Sequence, residues 1–319
     1  MECISCGYKI RSITPPVQHG EGPVWHSETS TFYWVDTFKS TVYRLPQDGA
    51  IQSYKLEGRD SVGFILPIKG KNDTFLVFAD RVVYKLHWPF EKKKKINLQK
   101  IMSVEDDKPL NQFNDGKVDA KGRVWGGTLS RNRSDLSVSN HGGSFYLFDS
   151  TFTSIKEKIT KTSISNGLAW CSDSTKFYYI DSQTRYVQEY TFKLETGNIT
   201  NRKIVFDLKQ HPELSGIPDG MTIDANDNLW IALFGGSHII RVDPRTKKIL
   251  MKIKMPATYI TSVVFGGPNL DILYATTSRL KFEAAPEKLE KEPLAGSVFA
   301  ITNLGVKGVP GNCVTYNRY

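Results

Sequence analysis

Short runs of alternating or β-rich residues recur along the chain in a repeated order. A polar residue followed by glycine opens most of these sets, and an apolar run with strand character comes after it. Further runs of this kind, separated by turns, include Thr31–Asp36, Thr74–Ala79, Lys176–Ile180 and Asn228–Phe234. No segment keeps a helical period with capping residues, so we expect little helix. The pattern predicts an all-β protein.

The repeat has a regular length. Its marker positions are 22, 63, 116, 167, 220 and 263, which lie 41, 53, 51, 53 and 43 residues apart. Six units of this size are typical of β-propeller blades. We therefore predict a six-bladed β-propeller in one domain over residues 14–319. Residues 1–13 form an extension, of which Tyr8–Ile13 can pair with the last blade to close the ring. Two β-sandwiches are the alternative, but the repeat crosses any midpoint without a linker.

The residue type before each marker position indicates a possible cation-binding site. In four units it carries a carboxylate or amide oxygen, and these residues are Glu21, Asp115, Asn166 and Asp219. Since the first strands of propeller blades line a central channel, these side chains should converge. Buried carboxylates repel one another, and a cation removes the conflict. Oxygen donors favour a hard divalent ion such as Ca²⁺, Mg²⁺ or Mn²⁺.

One position in the third unit is open to two interpretations. Asn114 immediately precedes Asp115, and strand alternation should prevent both side chains from facing the channel. The repeat alignment alone favours Asp115. The dipeptides Asp-Gly and Asn-Gly are also common in turns, but their recurrence at blade spacing argues against a purely structural role.

Composition and charge narrow the class of partner. The chain has 319 residues and a net charge of +9. Its densest basic run, at positions 92–95, lacks the interleaved aromatic residues of a single-strand binder, so we expect no nucleic acid partner. No apolar run is long enough for a membrane helix, and no signal peptide is evident. These features predict a cytoplasmic protein without membrane contact, as a monomer or weak dimer. Cys3 and Cys6 form a C-x-x-C pair without a second pair to complete a zinc site.

Several longer motifs resemble a known family. The chain is similar to the senescence marker protein, regucalcin, gluconolactonase and luciferin-regenerating enzyme family, and most similar to its insect regucalcin-like branch. The resemblance covers about residues 20–308. It is carried by GEGPVW (Gly20–Trp25), FNDGKVDAKGRVWGGT (Phe113–Thr128), SNGLAW (Ser165–Trp170), FYYIDS (Phe177–Ser182), IPDGMTID (Ile217–Asp224), TSVVFGGPNLDILYATTSR (Thr261–Arg279) and LGVKG (Leu304–Gly308).

The resemblance implies a six-bladed propeller with one divalent cation. Ca²⁺ is the first expectation, with Zn²⁺, Mn²⁺ or Mg²⁺ as alternatives. The ligands implied are Glu21, Asn166 and Asp219. Asn114 matches the asparagine beside the substrate and metal, which leaves Asp115 a supporting role.

Two positions depart from the sugar-lactonase pattern. Gln112 stands where those members have arginine, and the place of their acidic loop residue is near Asn132. The implied substrate-binding set is therefore Gln112, Asn114 and Asn132. The altered contacts leave the substrate open while the implied metal ligands are kept.

Three functions are compatible with these residues. The first is metal-dependent opening of a lactone, with the cation as Lewis acid and Asp219 as the base. The second keeps the fold but takes an aromatic heterocycle, as in the luciferin-regenerating branch. The third is a calcium-binding regulatory propeller without catalysis. The loop Arg131–Gly142 either covers the channel mouth or is an ordinary hairpin extension.

Overall fold

The computed structural model describes residues 7–91 and 93–317, and nearly all of its regular structure is β. Cys3 and Cys6 lie outside the described residues. Within them there is one α-helix, α1, at Pro286–Lys291, which is far too short to cross a bilayer. The remaining helical elements are 3₁₀ turns at Ser27–Thr29, Ser182–Thr184, Leu208–Gln210 and Leu280–Phe282. The expected low helix content is confirmed.

The strands follow one another with short connections, as antiparallel pairing requires. In chain order they are β1 (Lys9–Ser12), β2 (Gly20–His26), β3 (Thr31–Asp36), β4 (Thr41–Pro46), β5 (Gln52–Lys55), β6 (Val62–Pro67), β7 (Thr74–Ala79), β8 (Val82–His87), β9 (Asn97–Ser103), β10 (Asn111–Val118), β11 (Val124–Arg131), β12 (Val138–Ser139), β13 (Gly143–Phe148), β14 (Ile155–Thr162), β15 (Ser165–Trp170), β16 (Lys176–Asp181), β17 (Tyr186–Lys193), β18 (Asn198–Asp207), β19 (Ile217–Ile223), β20 (Leu229–Phe234), β21 (His238–Asp243), β22 (Lys248–Lys254), β23 (Tyr259–Gly266), β24 (Ile272–Ser278) and β25 (Phe299–Thr302).

Hydrogen bonding groups these strands into five sheets. Strands β2–β5, β6–β9 and β15–β18 form three four-stranded sheets, and β10–β14 form a fourth with five strands. The fifth sheet has eight strands, because β19–β22 are joined to β23, β24, β25 and β1 by the pairing of Phe234 with Tyr259. The all-β, propeller-like class agrees with the prediction. Six separate blades are not observed, since this one pair connects the last two units.

The first strand of each repeat lies at the centre of the molecule. Strands β2, β6, β10, β15, β19 and β23 each pack against the next, and β23 packs against β2, so that they enclose an axis. Strand β1, from the start of the chain, pairs antiparallel with β25 near its end. The division of the chain at residue 13 remains a prediction.

Bulges occur in the inner strands where the sequence markers lie. The pairing of β2 with β3 is irregular between Glu21 and Val24, and that of β15 with β16 between Asn166 and Leu168. Strands β10 and β19 have the same interruption around residues 114–115 and 219–220. A bulge redirects side chains out of simple alternation. Asn114 and Asp115 both lie inside the bulge, so simple alternation does not decide which of them faces the channel, and that choice remains a prediction.

The marker glycines are explained by close packing between inner strands. A Cβ on Gly167 would lie 2.7 Å from the carbonyl oxygen of Asp219, in the next inner strand. A Cβ on Gly220 would lie 1.9 Å from Oγ of Ser262. Any larger residue would push the strands apart, and with them the acidic residues beside the glycines.

The last residues of the described chain cross one face of the molecule. In this C-terminal strap (residues 308–317), Val314 N donates to Pro67 O at 2.8 Å and Thr315 N donates to Gly122 O at 2.8 Å. The strap thereby joins turns from separate sheets. Between it and the inner strands is a cavity of about 310 Å³, which we call the far cavity.

Candidate metal and active site

Three buried carboxylates from different inner strands act on one another at the axis. Glu21 comes from β2, Asp115 from β10 and Asp219 from β19. Burial and the charges of Asp219 and Asp115 raise the pKa of Glu21 well above its usual value. Burial and the charge of Asp115 likewise raise the pKa of Asp219. The fold therefore concentrates negative charge where water screens it poorly.

Asn166 connects with this acidic group from β15. Its Nδ2 donates hydrogen bonds to Oδ1 of Asp219 and, at 3.2 Å, to Oγ of Ser182. Its Oδ1 accepts from the amide of Gly167 at 3.2 Å. The Glu21 carboxylate accepts in the same way from the amide of Gly22 at 3.0 Å. The bulged backbone thus fixes both side chains.

Arg131 is a cation at this site that the sequence analysis did not identify. It ends β11, and its charge counteracts the rise in the pKa of Asp219. Its Nη1 donates to Leu136 O at 3.0 Å, and its guanidinium lies 5.3 Å from the ring centroid of Phe38. Nε is buried without a hydrogen-bond partner among the described residues. Because Arg131 is outside the repeated marker, the spacing gave no signal for it.

A cluster of aromatic rings packs next to Arg131. The His19 ring lies 5.2 Å from that of Phe38 and 6.3 Å from that of Phe234. Burial, and then the charge of Arg131, lower the pKa of His19 to about 3, so this imidazole is neutral. Its Nδ1 is 2.8 Å from Oγ of Ser278. Sequence reasoning assigned no role to His19, although it lies two residues before Glu21.

The expected substrate residues fall into two groups. Gln112 is buried, and its Nε2 has no hydrogen-bond partner among the described residues. Asn114 donates from Nδ2 to Ser165 O at 2.9 Å, which leaves its side-chain oxygen available. Asn132 is exposed and accepts from the amide and hydroxyl of Ser134 at 2.9 and 2.8 Å. These side-chain hydrogen bonds of Asn132 stay within its own loop, whereas the Gln112 and Asn114 side chains each keep a polar atom available.

Lys117 lies on the far side of the acidic group. It lines the far cavity with Asp115, and its Nζ donates to Leu168 O and Met221 O, both at 2.8 Å. Burial lowers the pKa of Lys117 to about 8, and its charge restrains the rise in the pKa of Asp115. The ammonium therefore ties β10 to β15 and β19.

The donor set fits a hard divalent cation. Glu21 and Asp219 supply carboxylate oxygens, Asn166 supplies an amide oxygen, and no sulfur or imidazole ligand is needed. In the structure, the positive end of the Asn166 amide faces Asp219. A bound cation would relieve the repulsion that raises the pKa of both carboxyl groups.

Comparisons with known proteins agree with this architecture. The sequence model of the SMP-30/Gluconolactonase/LRE-like region matches residues 19–279. Regucalcin of Homo sapiens is 36% identical over 313 residues, covering 94% of this chain and 96% of that protein. A structure of a luciferin-regenerating enzyme is similar with a TM-score of 0.88 and 35% identity, covering 97% of this chain and 99% of the other.

A more distant structure supports the fold alone. It is regucalcin of Agrobacterium tumefaciens, described as a calcium-binding protein, with a TM-score of 0.81 and 22% identity over 93% of this chain and 94% of the other. The family match spans most of the chain, and the human relative aligns over almost all of it. The resemblance seen in the motifs is confirmed, and the chain belongs to the SMP-30/gluconolactonase/LRE-like family.

Proposed function

We propose that this protein is a divalent-metal-dependent hydrolase that opens a lactone. The observation that carries the proposal is the group of buried carboxylates from separate inner strands, with Asn166 hydrogen-bonded to Asp219. Membership of a family whose name includes gluconolactonase supports it. We also propose that the eight-stranded sheet works as two blades around the axis, since β19 and β23 each supply an inner strand. A cytoplasmic location remains a prediction.

Glu21, Asn166 and Asp219 are the residues that would hold the cation. Ca²⁺ suits their oxygen donors, and Zn²⁺, Mn²⁺ and Mg²⁺ are alternatives. When bound, a divalent cation supplies Lewis-acid polarisation of an ester carbonyl. Asp115, held by its hydrogen bond from Gly116 N at 2.7 Å, adds negative charge beneath this group.

Asp219 is the base in this proposal. Its carboxylate accepts a proton from water as the water oxygen bonds to the acyl carbon of the lactone. The ring C–O bond then breaks, and the leaving oxygen takes a proton to become a hydroxyl. Water is thus added across the ester bond without any change of oxidation state. The charge of Arg131 counteracts the rise in the pKa of Asp219, which favours the ionised base, and its guanidinium offers N–H groups toward developing negative charge.

Gln112 and Asn114 orient the substrate. The free Nε2 of Gln112 can donate to a substrate oxygen, and the free side-chain oxygen of Asn114 can accept from a substrate hydroxyl. A buried donor without a partner is costly, so a ligand that satisfies Gln112 gains affinity. Asn132 was expected in this set, but its own loop uses its side-chain oxygen. A substrate contact by Asn132 would require the loop to rearrange.

A second substrate class is favoured by one observation. The rings of His19, Phe38 and Phe234 form one aromatic cluster, and its Phe38 ring contacts the Arg131 guanidinium. The ring centroids of Phe234 and Tyr259 are 4.8 Å apart, which extends the cluster. Aromatic surfaces of this kind suit a planar apolar substrate. An aromatic heterocycle is therefore the alternative. A calcium-binding propeller without turnover would use the same metal ligands but would need no unpartnered Gln112.

A panel of lactones tests these possibilities. Purified protein is chelated, reloaded with Ca²⁺, Mn²⁺, Mg²⁺ or Zn²⁺, and assayed by pH-stat on gluconolactone and on bulkier aromatic lactones. We expect saturable, metal-dependent ring opening of at least one class. Metal binding without turnover on any member would favour the non-catalytic alternative. Turnover that survives complete chelation would contradict the proposal.

A further inference from the structure

Three ligand-type side chains meet outside the axial site. They are His26 at the end of β2, Glu28 in the following 3₁₀ turn and Cys313 in the C-terminal strap. One nitrogen, one carboxylate oxygen and the sulfur lie within 4.8 Å of one another. The sequence separates Cys313 from the other two by almost the whole chain, so the fold creates this cluster.

The environment of His26 indicates that this cluster binds a ligand. The residue is only 2% exposed, and its Nε2 is buried without a hydrogen-bond partner among the described residues. Its other nitrogen, Nδ1, is 2.9 Å from Oγ1 of Thr29, which fixes the ring orientation. Nε2 lies 3.9 Å from Oε2 of Glu28, too far for a hydrogen bond. An imidazole held through one nitrogen with the other left free is the usual arrangement of a metal-binding histidine.

The strap holds Cys313 in place. Val314 N donates to Pro67 O at 2.8 Å, and Lys69 N donates to Val314 O at 2.9 Å. On the other side of Cys313, Nδ2 of Asn312 donates to Val118 O at 3.2 Å. The cysteine is thus fixed by both neighbours, which lowers the entropic cost of bringing the ligands together.

We propose that His26, Glu28 and Cys313 form a second metal site, selective for Zn²⁺. Sulfur, imidazole and carboxylate together suit a borderline-soft ion, whereas the axial site offers only oxygen. Three protein ligands leave a fourth position, and the Glu28 side chain is 54% exposed, so water can reach the ion. On binding, the Cys313 thiol gives its proton to solvent and its sulfur bonds to Zn²⁺, with no redox change.

The second site has a structural consequence. Cys313 follows Asn312 in the strap, and Asn312 lines the far cavity, whereas His26 ends the strand that carries Glu21. A zinc ion would join the strap to β2 beside the far cavity. This inference does not depend on lactone turnover, because the site shares no ligand with the axial one.

Cobalt substitution tests the second site. Full-length protein in which Cys3 and Cys6 are replaced by serine is chelated and titrated with Co²⁺, and then with Zn²⁺ in competition. We expect a thiolate-to-cobalt charge-transfer band that Zn²⁺ abolishes. Cys313→Ser should remove the band. Glu28→Gln changes an exposed residue, so folding should persist while Zn²⁺ affinity falls at least about tenfold.

Two control variants separate this site from other ligands. Cys171→Ser removes the other described free cysteine and should keep the band, as should Asp219→Asn, which disrupts the axial site. Absence of the band in the parent protein, or its persistence in folded Cys313→Ser, would overturn the proposal. Loss of the band in Asp219→Asn would overturn it too, since the two sites would then not be independent.

Discussion

Asn166 and Asp219, 53 residues apart in the sequence, are hydrogen-bonded through their side chains at the axis of the molecule. The two residues occupy bulges in adjacent inner strands, β15 and β19. The contact places an amide next to a carboxyl group whose pKa is raised by burial and by Asp115. The fold thus buries Asp219 beside other carboxyl groups, with Arg131 only partly offsetting the rise in its pKa, and a bound cation would relieve this condition.

Chelated protein should lose stability as pH rises. The pKa values of Glu21 and Asp219 are raised in the folded state, so between their ordinary values near 4 and the higher folded values the unfolded chain has already lost protons that the folded chain keeps. The free energy of unfolding therefore falls as pH rises through that range, and below it the effect vanishes. Melting temperatures from pH 3 to 8, with chelator and with Ca²⁺, measure this.

Calcium should flatten that pH dependence, since the bound ion favours the ionised carboxylates. Glu21→Gln should flatten it in the chelated protein, because one of the repelling charges is removed. An unchanged slope in both samples would show that the axial carboxylates do not control it.

Replacing Lys117 by methionine should destabilise the protein. The change leaves Leu168 O and Met221 O without their donor and removes the cation beside Asp115. Each buried unsatisfied group costs about 1–3 kcal/mol, so we expect a loss of about 3 kcal/mol in the free energy of unfolding. Lys121→Met is the matched control, since Lys121 pairs at the surface with Glu195 and should change stability by less than about 1 kcal/mol. Equal effects in urea denaturation would refute the bracing role.

Arg131→Met should shift the pH profile of lactone turnover. Without the guanidinium, the pKa of Asp219 rises further, so the acid limb of the rate profile moves to higher pH. We expect kcat at neutral pH to fall by about tenfold or more, in line with loss of a charge next to the base. Arg133→Met, which alters an exposed ion pair with Asp60, is the control and should leave the profile unchanged. An unshifted acid limb in Arg131→Met would remove Arg131 from the mechanism.

Gln112→Arg should change substrate preference. A guanidinium at this buried position offers several donors to a polyhydroxylated lactone, whereas the native amide offers one free Nε2 group. The ratio of kcat/KM for gluconolactone to that for an aromatic lactone should rise by about tenfold. Gln112→Met removes the donor at similar size and should not raise the ratio. A ratio unaffected by the arginine would mean that Gln112 does not set specificity.

The repeat in the sequence located much of the axial group. Glu21, Asp115, Asn166 and Asp219 were marked because each comes before a marker glycine, and the structure explains the glycines by strand contacts that leave no room for a side chain. Alternation alone does not settle which of Asn114 and Asp115 faces the channel, because a bulge interrupts it there and a bulge cannot be seen in the spacing. The predicted six separate blades also differ from the five sheets observed, because the backbone pairing of Phe234 with Tyr259 joins the last two units.

Site residues outside the repeat could not be predicted from the sequence. Arg131, at the end of β11, acts on Asp219 through its charge. Cys313 lies close to His26 in space, although the two are far apart in the sequence. Neither contact follows from periodicity, because both depend on where loops and the strap run in three dimensions. Asn132 shows the reverse case, in which a local turn with Ser134 occupies a side chain expected at the substrate.

The central claim is that the axial carboxylates support metal-dependent lactone opening. Its most direct test is the initial rate of ring opening against metal concentration, in chelated wild type and in Asp219→Asn, with Asp107→Asn in an exposed turn as the control. We predict a saturable metal-dependent rate in wild type and control, and a rate about 10²–10⁴-fold lower in Asp219→Asn. An equal metal-dependent rate in Asp219→Asn, or a full rate in chelated wild type, would contradict the account.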